Sequence, residues 1–269
     1  PLNYAANARE SYPVFARRKA DGTLPADIRF MVCMPTPGTS INLLEEDSGR
    51  VVKSAHEAQI QVTIKDLVDL IPPSELAIQW DVVRETRSEL NDELITELAK
   101  IADWVPEDVE VGYHLCFGDR KARGDVTARG MAEQGMTLGE KMKSHDRLSQ
   151  PSPVPNGMTI LRDMSLGIIA HASRRITFMH LATLPATSQP LEKAYADLDG
   201  LGDKDETECY LGLLDIDTGV EGTRRQIEAA ARVLPRFGIG PECGLQRIDA
   251  REYQEALEAL STLAKDLSA

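Results

Sequence analysis

The sequence predicts a parallel α/β fold. Six short apolar runs of strand length end in turn residues, and helical patterns lie between them. The chain has 269 residues, 42% of them hydrophobic, which suits one α/β barrel with a large core. A repeated strand–helix order means parallel pairing, and right-handed crossovers then allow an open doubly wound sheet or a closed barrel.

The six runs are Ile28–Met34, Leu76–Asp81, Val109–Cys116, Arg175–His180, Tyr210–Asp215 and Phe237–Cys243. Each is short enough for a strand buried on both faces. Ala55–Leu70 and Asn91–Ile101 repeat apolar residues at helical spacing. Glu221–Leu234 opens acidic and carries Ile227, Ala230, Ala231 and Leu234 on one face, and Arg251–Leu267 is amphipathic. Residues 120–157 break this rhythm, because the stretch is polar and too long for an ordinary connection. Its cations, among them Arg120, Lys121, Arg123, Lys141 and Lys143, stand out in an acidic chain. The stretch reads either as a solvated insertion or as a lid that receives an anionic substrate tail. Otherwise the whole chain, 1–269, reads as a single domain.

Composition narrows the function. A net charge of −13 argues against nucleic-acid binding and against docking on anionic membranes. No apolar run is long enough to span a bilayer. Cys33, Cys116, Cys209 and Cys243 are widely spaced, which reads as reduced thiols in a cytoplasmic protein. Cys33 and Cys209 have no ligand type beside them and are assigned to structure, as are Trp80 and Trp104.

Polar residues gather where the strands end. Asp81, His114, Cys116, His180, Asp215 and Cys243 all lie at or just past an expected strand C-terminus. In parallel α/β folds those ends share one face, and that face holds the active site. His114 and Cys116 are two apart, so on a strand they point the same way and can reach one ion. Cys243 adds a second thiol from a distant strand end. Imidazole and thiolate donors suit Zn²⁺. A buried cysteine is also common as a small hydrophobe, and spacing alone leaves both readings open.

Several segments, in order, resemble the C-terminal catalytic barrel of cobalamin-independent methionine synthase. Ile78-Gln79-Trp80-Asp81 resembles that family's Ile-Gln-Ile-Asp strand end, and His114-Leu115-Cys116 its His-x-Cys zinc pair. Leu214-Asp215-Ile216-Asp217 resembles its Tyr-Asp-Ile-His. Glu242-Cys243-Gly244-Leu245 resembles its Asp-Cys-Gly-Leu, whose cysteine binds zinc. The matches run from about residue 28 to 247. The resemblance implies a (β/α)₈ TIM-type barrel to which this chain supplies strands three to eight. Six strands do not close such a barrel, so an upstream N-terminal segment is expected to complete it. The implied function is a zinc-dependent methyltransferase with a small-molecule thiol as acceptor. The donor would be a methylated reduced folate or a small O-methyl compound.

The departures bear on single residues. The family's zinc-binding Glu is missing from Ile176–His180, and His180 is expected in its place as ligand or substrate contact. The family's catalytic His is replaced by Asp217, expected to act as a proton donor or to cap the following helix. Asp81 alone survives of an Asp-Glu-Pro motif; with Asp215, it is expected to contact substrate. Two alternatives remain: a metal-free barrel of the uroporphyrinogen decarboxylase type, and a non-catalytic binding subunit. The sequence leaves open whether the chain forms a homo-oligomer.

Overall fold

The described strands form a parallel sheet in the order β1-β2-β3-β4-β5-β6. The computed structural model describes residues 2–41, 46–117, 157–183, 191–201, 206–214, 219–241, 243 and 250–267. The strands are β1 (Phe30–Pro35), β2 (Leu76–Val82), β3 (Glu110–Leu115), β4 (Phe178–Leu181), β5 (Glu208–Leu214) and β6 (Gly238–Pro241). Each expected run overlaps one of them, with ends that differ by at most three residues. An order with no reversal has no switch point, so the sheet is singly wound, as a barrel wall is, and not doubly wound.

The helices in chain order are α1 (Tyr4–Ala20), α2 (Pro37–Ser40), α3 (Glu46–Leu70), α4 (Asp92–Lys100), α5 (Gly157–His171), α6 (Leu191–Ala196), α7 (Gly219–Ala231) and α8 (Ala250–Leu267). Helices α3, α4, α7 and α8 match the expected helical patterns, although α3 starts earlier than Ala55. The Asn91 side chain caps α4 by accepting from the Leu94 N–H, and Asp92 and Glu93 follow it in the first turn. Pattern reading did not mark α1 or α5. Helix α1 buries only Ala8 and contains Pro13, so its periodicity is weak. Helix α5 carries buried Leu161, Met164, Ser165 and Ile168, and Gly167 lets the Ile95 side chain of α4 come close. The expected insertion at 120–157 lies outside the described residues up to position 156. None of the described helices is long and apolar enough to cross a membrane.

The chain divides into two compact units. The first comprises Pro1–Leu115, Arg162–His180 and Asp203–Cys209, and the second comprises Cys116–Leu161, Leu181–Gly202 and Tyr210–Ala269. In the first unit one sheet face is apolar. Val32, Met34, Ile78, Trp80, Val82, Val111 and Tyr113 are all buried, and Trp80 packs edge-on against Trp104 with ring centroids 6.0 Å apart. Trp80, fully buried, therefore serves packing, as the strand alternation implied. Helix α1 is fixed by Tyr12 and Phe15, whose rings meet Phe30 of β1, and by the Tyr12 hydroxyl, which donates to Glu75 at 2.6 Å. The Arg174 guanidinium donates to the carbonyls of Val105, Pro106 and Val109, tying the turn before β3 to the approach to β4.

In the second unit β5 pairs with β6, with a bulge between Gly212 and Leu214. The carbonyls there are satisfied by side chains. The Thr183 hydroxyl donates to Gly212 O at 2.7 Å, and the Gln226 amide of α7 donates to Leu213 O at 3.2 Å. Gln226 in turn accepts from the Tyr195 hydroxyl at 2.8 Å.

Two outcomes follow from this packing. A Cβ added at Gly112 would lie 2.4 Å from the Phe178 ring, so Gly112→Ala should cost about 1–3 kcal/mol, read as a lower thermal midpoint. The Glu75 carboxyl is held below its ordinary value of 4.5, first by the Tyr12 hydroxyl and then by Lys19. A lowered folded-state value means this stability is present above about pH 4.5 and lost as pH falls through the folded-state value. The difference in thermal midpoint between wild type and Tyr12→Phe should therefore be largest at neutral pH and shrink below about pH 4.5.

Candidate metal centre

Strand register builds the site in two rows. On a parallel sheet, register partners put their side chains on the same face. Cys33 pairs with Gln79 and Pro35 with Asp81, while Gln79 pairs with Gly112 and Asp81 with His114. One row is therefore Cys33, Gln79 and Gly112, with the Phe178 ring over the glycine. The next row toward the strand C-termini is Pro35, Asp81 and His114, and the His180 ring stacks on His114 with centroids 4.6 Å apart and planes 30° apart. Gly112 and Phe178 sit two residues before His114 and His180. The missing side chain at Gly112 thus admits the Phe178 ring one row below the stacked imidazoles.

Gln79 links the two rows. Its amide nitrogen donates to Asp81 Oδ1 at 2.9 Å and lies 3.4 Å from Cys33 Sγ. The Tyr4 hydroxyl of α1 titrates above its ordinary value through burial, then through the nearby charges of Asp81 and Cys33. Sequence reading missed Gln79 and Tyr4. Gln79 carried a signal, since it stands two residues before Asp81 on the same strand face.

The donor cluster forms at the C-terminal end of β3. His114 and Cys116 are buried, and Cys243, two residues past β6, is half-buried. The ligand atoms of His114, Cys116 and Cys243 lie within 4.8 Å of one another. Zinc bonds of about 2.0–2.3 Å in a tetrahedral set separate ligand atoms by about 3.3–3.8 Å, a spacing of the same order as that of these three atoms. Two thiols and an imidazole are the donor types zinc takes, so the residues present fit the metal.

The other expected site residues fall as follows. His180 is not among these three residues, and its ring stacks on that of His114. Asp81 lies within β2, half-buried, beside His114 in register. Asp215 and Asp217 lie outside the described residues. Cys33 is exposed on β1, while Cys209 is buried and its thiol is pushed up to about 12 by that burial, which suits a packing role and not a nucleophile.

No family model matches the sequence, and no curated protein matches it. Among solved structures, the fold is similar to that of a B12-independent methionine synthase from Shewanella sp. W3-18-1, determined in complex with selenomethionine. The TM-score is 0.58 at 15% sequence identity, and the match covers 98% of this chain and 67% of that chain. At this identity the likeness establishes a shared fold, a distant relation in architecture to that enzyme.

Proposed function

We propose that this chain is a zinc-dependent methyltransferase whose acceptor is a small-molecule thiol. The observation that carries the proposal is the cluster of His114, Cys116 and Cys243 at the strand ends of a singly wound parallel sheet. His114, Cys116 and Cys243 would hold a Zn²⁺ ion, which when bound would lower the pKa of an incoming thiol into the neutral range.

The chain's own residues bind and orient. Asp81, held by the Gln79 amide, offers a carboxylate to an ammonium group of the acceptor. His180 restrains the His114 ring by stacking and contacts substrate, or replaces the carboxylate ligand absent from its strand. Asp217 as proton donor and Asp215 as substrate contact belong to the same proposal. A methylated reduced folate or a small O-methyl compound is the proposed donor, with the cations of residues 120–157 receiving an anionic tail. Closure of the barrel by two strands of an upstream segment is also proposed. It is supported by Met31, 48% exposed, and Cys33, exposed beside it on the same face of β1, where Gln79 and His114 of the next strands are buried.

Metal analysis of purified protein should find about one zinc per chain, lost in both Cys116→Ala and Cys243→Ser. A folded protein that holds no zinc after growth and refolding in zinc would overturn the proposal and favour the metal-free barrel or the binding subunit. Asp81→Asn should lower kcat/KM for an amine-bearing thiol about ten- to hundredfold, chiefly through KM, and leave zinc content unchanged. An unchanged KM would remove Asp81 from acceptor binding.

A further inference from the structure

Glu85 is a buried carboxylate that the proposed reaction does not use. It is 6% exposed, in the turn after β2. Its Oε1 accepts from the Thr36 hydroxyl at 2.5 Å and its Oε2 from the Thr39 hydroxyl at 2.7 Å. Thr39 Oγ1 accepts from the Val83 and Arg84 N–H groups, which joins α2 to the same turn. Backbone also comes up to the carboxylate, since a Cβ at Gly38 would lie 2.4 Å from Glu85 Oε1. Among the described residues no cation forms an ion pair with Glu85. Lys53, on the same cavity, is engaged by Glu97 at 3.0 Å. Two hydroxyls satisfy hydrogen bonding but do not neutralise the charge, and a buried charge without a counter-charge is costly.

Glu85 lines a cavity of about 560 Å³. Leu94, Leu98, Ile101 and Trp104 give it an apolar wall, and Glu57 and Glu97 are the other carboxylates on its lining. Arg84 and Lys100, also on its lining, are exposed to solvent. The volume lies in the range of small-molecule sites, which combine apolar walls with a few fixed polar groups. We propose that this cavity is a second binding site, for a small organic cation that carries an ammonium or guanidinium group on an apolar body, with Glu85 as its counter-charge. The cavity shares no lining residue with the donor cluster, and the proposal does not depend on the methyltransferase reading. Its residues all lie in the first unit, and the neighbouring Trp80 faces the opposite side of β2 from Asp81.

Trp104 makes binding observable, since the chain contains only two tryptophans and the other, Trp80, is packed against it. Phenethylammonium should change the intrinsic fluorescence of the full chain saturably, and phenylpropionate, of similar shape and opposite charge, should not. Glu85→Gln, which keeps the side-chain shape and one of the two hydroxyl acceptors and removes the charge, should weaken phenethylammonium binding about ten- to hundredfold at unchanged zinc content. Equal binding of the two probes by wild type, or no binding of either, overturns the proposal without any variant. Undiminished phenethylammonium binding by a folded Glu85→Gln protein overturns it as well.

Discussion

The register of β3 between β2 and β4 is the constraint on which the site depends. Side chains on a strand alternate with a period of two, so a slip of one residue would carry His114 to the opposite face and exchange it for Tyr113. Tyr113 is fully buried on the apolar face, with its hydroxyl donating to Leu98 O at 2.6 Å. Register is thus fixed from both sides. The apolar face needs Val111 and Tyr113 inward toward the helices, and the polar face needs the space left by Gly112 for Phe178.

The same alternation sorts the chemistry of β2. Asp81 and Gln79 belong to the polar face with the histidines, and Trp80 belongs to the packing face with Trp104. Just past the strand, Glu85 turns to a cavity on the side of α4, and the Thr36 N–H donates to Asp81 O, so β1 and β2 leave the sheet tied together. One strand and the turn after it therefore supply carboxylates to two separate environments. One carboxylate is held by an amide, the other by two hydroxyls.

The strands were legible because each is a short apolar run bounded by turn residues. The polar residues at their ends were legible because parallel topology brings those ends together. His114 and Cys116 could be paired from spacing alone, and Cys243 was added from its place at a distant strand end, a reading the resemblance then reinforced. Helix α1 was not legible, since its hold on the sheet comes from Tyr12, Phe15 and the Glu75 carboxylate and not from an apolar stripe. Glu85 was hidden for a related reason. Nothing in Arg84-Glu85-Thr86 marks a buried charge, and only the distant hydroxyls of Thr36 and Thr39 explain its burial. The stacking of His180 on His114 likewise depends on the backbone approach at Gly112, which no local pattern announces.

The unbroken strand order also bears on how the molecule is made. Each strand after β1 pairs with the one that precedes it in the chain, so none of β2 to β6 has to wait for a later strand to supply its first neighbour. Most closures are of moderate length, which favours quick assembly. As the polypeptide leaves the ribosome, β2 can dock on β1 and β3 on β2 before the rest is synthesised. The step from β3 to β4 is different. It must bridge the long polar stretch after Phe117, and it is also the step that brings His180 onto His114. The longest connection between consecutive described strands therefore falls on the pairing that completes the imidazole stack.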